Sequence, residues 1–141
     1  MKVGRGHTLL IIINDPMQSV HRNITELAKT NTWFRKEVIT GDHSQVFLMS
    51  INHGEDIGLE THHDVDQTLV FVSGTGKAIL NGKEEPIETD VLFFVPAGTE
   101  HNFVNTGSEP LKLFTIYAPN EHVAGTNHET KQDAENDPHE H

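Results

Sequence analysis

Apolar and polar residues alternate along most of this chain in short bursts. "KEVIT", "SQVFLMSIN", "DQTLVFVSG", "GKAILNG", "DVLFFVPAG", "HNFVNTG" and "PLKLFTIYAP" are β-rich, and each is bounded by Gly, Pro, Asn or Asp. Runs of this length, separated by turn formers, predict strands. One helical period lies upstream of them. From Asn23 to about Thr30, Ile24, Leu27 and Ala28 share a face, Asn23 can cap the first turn, and Glu26 follows three residues later. Short strands with no helix between them predict an all-β fold, a sandwich or barrel of antiparallel sheets. "LNGKE", Leu80 to Glu84, carries the Asn-Gly pair of a two-residue type I′ hairpin.

Both ends break the pattern. Lys2 and Arg5 precede "LLIII", Leu9–Ile13, which resembles a signal core but stops after five residues at Asn14-Asp15-Pro16. It is too short to span a membrane or to serve as a leader, and reads as a buried strand or a sticky arm. Beyond Pro119, "NEHVAGTNHETKQDAENDPHEH" holds almost no large apolar residue. Composition alone predicts a tail that builds no core. The expected organisation is an N-terminal arm over 1–22, a barrel domain over 23–120, and an acidic, His-rich tail over 121–141.

Charge narrows the partners. Twenty-one acidic against ten basic residues give a net charge of −11, which repels phosphate backbones and anionic lipid. No nucleic-acid or membrane partner is expected. The chain has no cysteine, which excludes disulfides, thiolate metal sites and thiol nucleophiles and is compatible with a cytoplasmic location.

Two clusters carry candidate chemistry. In "GLETHHDVDQ", Glu60 and His62 are two apart and share a strand face, whereas His63 has the opposite parity and points away. A turn through Asp64–Asp66 brings the next strand back from Gln67. In "VPAGTEHNFVN", Pro96-Ala97-Gly98 forces a tight turn before a strand beginning near His101. In a barrel, Glu60, His62, Gln67 and His101 can converge on the interior. One carboxylate, one amide oxygen and two imidazoles suit a divalent transition ion such as Fe, Mn, Zn, Ni or Cu.

At these residues the sequence resembles the cupin superfamily. Gly54, five residues, Glu60-x-His62, four residues, Gln67, six residues and Gly74 reproduce the spacing of its first motif. Asp90, five residues, Pro96-x-Gly98, two residues, His101, three residues and Asn105 reproduce the second, and fifteen residues separate the two. Glu60 stands where the first His is usual, Gln67 replaces a Glu, and Asp90 replaces a leading Gly that affects a turn. Residues 24–135 look like small single-domain bacterial cupins of the mannose-6-phosphate-isomerase-like group. That group tends to carry a tail like "GTNHETKQDAE", part of which lies against the barrel. The resemblance implies a double-stranded β-helix, or jelly-roll barrel, with a short N-terminal helix. It makes Glu60, His62, Gln67 and His101 the metal ligands, with Gln67 the weakest because a neutral amide donates less charge.

Other positions read as structural. Parity with His101 turns Phe103 and Asn105 inward, and parity with Gln67 turns Leu69 and Phe71 inward, as packing. Tyr117 reads as packing too. Asp66 and Glu100 face away from the site, and His43 lies in an exposed turn. His122, His128, His139 and His141 match no closed site and read as solvated. "VSGTGKA" lacks the third glycine and the helix of a phosphate loop, and reads as a β-turn. The function expected is a mononuclear metal enzyme, of isomerase or dioxygenase type, acting on a small polar, sugar-derived molecule. The competing class is a non-catalytic small-molecule or metal-sensing module. No residue is assigned as catalytic acid or base. The apolar arm predicts a homodimer, since pairing removes an exposed apolar edge.

Overall fold

Turn chemistry sets the strand order. The computed structural model describes residues 19–140, and the arm containing Leu9–Ile13 lies outside them. The chain runs α1 (Ile24–Thr30), β1 (Arg35–Thr40), β2 (Gln45–Ile51), β3 (Glu60–Thr61), β4 (Asp66–Ser73), β5 (Gly76–Leu80) and β6 (Lys83–Ile87). It continues through β7 (Leu92–Val95), β8 (Glu100–Asn105), β9 (Leu111–Ala118), β10 (Asn127–His128) and α2 (Lys131–Glu135), then a 3-10 turn at Pro138–Glu140. Each of the seven β-rich runs contributes a strand. Asn23 caps α1, accepting from the Glu26 backbone N–H at 3.0 Å. Asn81 and Gly82 both take positive φ, 50° and 83°, as a type I′ hairpin between β5 and β6 requires.

The strands form two sheets. One has six strands in the order β10-β1-β2-β9-β4-β7, the other four in the order β3-β8-β5-β6, and every pairing is antiparallel. This is the jelly-roll arrangement expected, with α1 as the short N-terminal helix. The sheets face one another across a core that includes Met49, Leu69, Phe71, Phe93, Leu113 and Phe103. Leu69, Phe71, Phe103 and Asn105 are all buried, as strand parity predicts. On the outer face of the larger sheet, α1 lays Ile24, Leu27 and Ala28 against Leu48, Val72 and Phe114.

Two backbone details hold the sheets in register. A side chain at Gly76 would put its Cβ 2.2 Å from the Val104 carbonyl oxygen, so only glycine lets β5 pass β8 there. Asp90 takes φ 71° and donates its N–H to the Phe71 carbonyl, so the residue in place of the motif glycine does serve a turn.

The C-terminal segment overturns the compositional reading of a solvated tail. β10 adds to the edge of the larger sheet, pairing His128 with Arg35 and Asn127 with Lys36. α2 begins with a capping box in which Thr130 and Asp133 satisfy each other's backbone N–H groups. His122 and His128 are buried, while His139 is exposed and His141 lies outside the described residues. The segment folds without a large apolar side chain because polar contacts replace one: Arg35 lies between Glu140 and the His128 ring, His122 meets Glu140 at 2.9 Å, and His128 meets Asp137 at 2.8 Å.

Candidate functional site

Pairing brings the two histidine clusters together. Glu60 lies directly opposite His101 where β3 meets β8, so their side chains occupy one face. His62 follows two residues after Glu60. The turns behind them are tied: Gly98 N–H donates to the His62 carbonyl at 2.8 Å, and Ala97 N–H to the Asp66 carboxylate at 2.9 Å. Asp66 thus faces away from the site and braces the turn. His63 and Glu100 are exposed, as is His43.

The result is a compact donor cluster. One ligand atom from each of Glu60, His62 and His101 can lie within 4.8 Å of the others, close enough to hold a single ion. His62 Nε2 is 3.5 Å from Glu60 Oε1, and the two imidazole rings stand 5.1 Å apart. Each ring has its other nitrogen engaged. His101 Nδ1 donates to the Thr99 carbonyl at 2.9 Å, and His62 Nδ1 faces Glu121 Oε2 at 3.3 Å. Gln67 is buried on β4, and its Nε2 donates to Thr115 Oγ1 at 3.0 Å.

Three atoms are then left over. Of six buried side-chain atoms without a hydrogen-bond partner among the described residues, three belong to expected ligands: His62 Nε2, His101 Nε2 and Gln67 Oε1; the others are on Arg35, Asn120 and His122. A buried polar atom without a partner costs about 1–3 kcal/mol, so three from three expected ligand positions call for an explanation. Two imidazole nitrogens, a carboxylate and an amide oxygen fit a divalent transition ion in softness and charge. Geometry joins Glu60, His62 and His101; Gln67 is buried on β4 with its amide oxygen free.

Charge inside the site is asymmetric. Burial opposes a charged His62, but the Glu121 and Glu60 carboxylates outweigh it and push the imidazole up to about 9. Burial keeps His101 below the ordinary histidine value, reinforced by the His62 charge. Burial would raise Glu60, yet His62 and more distant Arg35 and His101 hold it below the usual glutamate value. His62 must therefore give up a proton for a metal to take Nε2.

A cavity of about 340 Å³ opens beside Glu60. Arg35, Lys131 and Glu140 give it polar walls, and Phe34 and Ile57 apolar ones. Its volume falls at the lower end of the range for small-molecule sites. Tyr117 packs edge-on to His62 at 6.0 Å between ring centroids, and burial raises its hydroxyl well above the usual tyrosine value. Among the described residues, no helix is long and apolar enough to cross a membrane.

Residue-level reasoning missed Glu121 and Arg35. Glu121 lies in the segment read as a solvated tail. Arg35 sits at the start of a strand whose burial depends on β10, and no spacing signal marks either.

A family model described as "Cupin domain" matches residues 47–117. The chain is 48% identical over 118 residues to the uncharacterized protein YrkC of Bacillus subtilis, covering 79% of this chain and 63% of that one. It is 36% identical over 108 residues to the uncharacterized protein L612 of Acanthamoeba polyphaga mimivirus, covering 73% of this chain and 67% of that one. The solved structure of BH2720 from Bacillus halodurans superposes with a TM-score of 0.83 at 45% identity, over 84% of this chain and 95% of that chain. The chain thus spans somewhat under two thirds of the length of the Bacillus subtilis relative.

Proposed function

This chain belongs to the cupin domain family, and from that premise we propose that it is a mononuclear metal-dependent enzyme acting on a small polar molecule. In this reading one divalent transition ion, of Zn, Mn, Fe, Ni or Cu, is held by Glu60, His62, Gln67 and His101. The observation that carries it is the set of three buried, unpartnered atoms: His62 Nε2, His101 Nε2 and Gln67 Oε1. Bound there, the ion supplies Lewis-acid polarisation of a substrate carbonyl, or a common site for dioxygen and substrate if it is redox-active. Isomerase and dioxygenase chemistries both fit that supply.

The chain's own groups do the rest. The cavity beside Glu60 receives the substrate, with Arg35 and Lys131 offering donors and Glu140 an acceptor for hydroxyl groups. A sugar-derived molecule matches this mixture. Phe71, Phe93 and Phe103 pack together with centroids 5.5 to 5.9 Å apart, Phe93 edge-on to both others, and Phe103 continues this apolar packing to His101 at 6.0 Å. The same reading includes a second copy of the chain as partner. It also includes a cytoplasmic location, which a chain without cysteine suits.

A second reading, a non-catalytic binding or sensing module, draws on one observation. Beyond the ligand set, the acid–base groups near the centre are already engaged with one another: His122 with Glu140, His128 with Asp137 and Glu121 with His62, while Tyr117 keeps its proton at neutral pH and His43 is exposed. Elemental analysis of protein purified without added metal is expected to show about one ion per chain, lost in both His62→Ala and His101→Ala. Stoichiometric metal in both variants sinks the ligand assignment. Turnover of small carbonyl or hydroxy compounds by the loaded protein separates enzyme from binding module.

A further inference from the structure

The chain returns to His62 after β9. Glu121 Oε2 lies 3.3 Å from His62 Nδ1, and its side chain is about one third exposed. The segment that carries it is fixed by Gln45, a fully buried residue of β2. Gln45 Oε1 accepts from the backbone N–H groups of Glu121 and His122, both at 2.8 Å, and Gln45 Nε2 donates to the His122 carbonyl at 2.8 Å. The His122 ring in turn packs edge-on against Phe47 and Tyr117, with centroids 5.1 and 4.8 Å away. One polar and one aromatic constraint therefore set how far the Glu121 carboxylate can reach.

The geometry points to Glu121 as the positioning residue of the centre: its carboxylate receives the Nδ1–H of His62 and holds the ring with Nε2 turned toward Glu60 and His101. The inference rests on the metal reading for the role of Nε2. A histidine that ligates through one nitrogen needs an acceptor for the other, which fixes the tautomer and strengthens the ligand. His101 has the Thr99 carbonyl for this purpose. His62 has no backbone acceptor of that kind, and Glu121 is the carboxylate that faces its Nδ1. A charged acceptor gives a stronger hydrogen bond than a neutral one, so Glu121 also compensates for the modest charge donated by Gln67. The C-terminal segment is on this view a part of the centre.

The test uses the full chain, with zinc as the probe. In nitrogen-labelled protein, the His62 Nδ1–H resonance, assigned by its loss in His62→Gln, is expected to exchange slowly with water, with or without zinc. Glu121→Ala moves it into fast exchange, and Glu121→Gln, whose amide oxygen still accepts, retains it. Zinc affinity by chelator competition falls about 10–100-fold in Glu121→Ala and by less in Glu121→Gln. Glu121→Asn, one methylene shorter and out of reach, serves as a second variant if Glu121→Ala folds poorly. Unchanged zinc affinity together with unchanged Nδ1–H exchange in the truncated variants overturns the inference. A wild-type protein that takes up no zinc overturns the metal reading, while the Nδ1–H signal still decides whether Glu121 positions the ring.

Discussion

The side-chain amide of Gln67 is oriented by a relay. Thr115 Oγ1 donates its proton to the Thr68 carbonyl at 2.9 Å, so it can only accept from Gln67, which fixes Nε2 on that side. Oε1 is consequently the free end. A carboxylate in this place has no proton to offer Thr115 and puts a negative charge at a buried position. Gln67→Glu is therefore expected to have effects of opposite sign. Metal-free protein loses about 1–3 kcal/mol through the unsatisfied buried group, whereas zinc binding tightens because a carboxylate donates more charge. Thermal unfolding with and without zinc checks both. Equal metal-free stability refutes the relay, and equal stabilisation by zinc removes Gln67 from the centre. Glu60, His62 and His101 were readable from the sequence because strand parity and motif spacing are local properties. His63 was separable from His62 for the same reason. Glu121 was not, because its contact depends on where a distant segment returns.

Element by element, legibility follows the source of stability. The seven runs that became strands are marked by their own β-rich composition and by turn residues at their ends. β10 and α2 carry no such mark, since their segment is held by polar contacts with distant residues: Arg35 on β1 with Glu140 and His128, Lys131 with Asp56, and Gln45 on β2 with the backbone of Glu121 and His122. Glu140 is central to this clasp. Burial opposes its charge, but His122, Arg35 and His128 keep it below the ordinary glutamate value of 4.5. A carboxyl whose folded value lies below its unfolded one stabilises the fold fully above about 4.5, and loses that contribution as pH falls through the folded value. The C-terminal segment is thus expected to release in acid before the barrel unfolds. Amide exchange across a pH series checks it: protection at residues 127–137 should fall below pH 4.5 while that of β2 and β9 persists. Glu140→Gln is expected to shift the release away from that window and to cost about 1.5–3 kcal/mol at neutral pH, the range for hydrogen bonds to charged groups. Simultaneous loss of protection in segment and barrel would show that the clasp is not a separate unit.

For the molecule as a whole, the outer face of the six-stranded sheet bears on assembly. Cross-strand register aligns Val46, Ile116, Thr68 and Phe94 in one row and Leu48, Phe114, Val70 and Leu92 in the next. α1 covers the end of the second row at Leu48 and Phe114. The other end stays open on β7, an edge strand, where Leu92 is 59% and Phe94 54% exposed. An apolar stripe beside an edge that has no strand partner among the described residues favours association, and a second copy offers the same stripe in a two-fold arrangement. Charge acts against this contact, because each copy carries a net −11. Screening over a Debye length of about 8 Å at physiological salt lowers that repulsion, so added salt should strengthen the dimer. Light scattering is expected to give twice the chain mass, with the dimer fraction rising with ionic strength. A Leu92→Lys, Phe94→Glu double variant should remain folded by circular dichroism and run as a monomer. Monomer mass for the wild type at high salt removes the dimer, and a dimeric double variant moves the interface off this face. The reading of the metal centre survives either result, since Glu60, His62, Gln67, His101 and Glu121 all come from one chain.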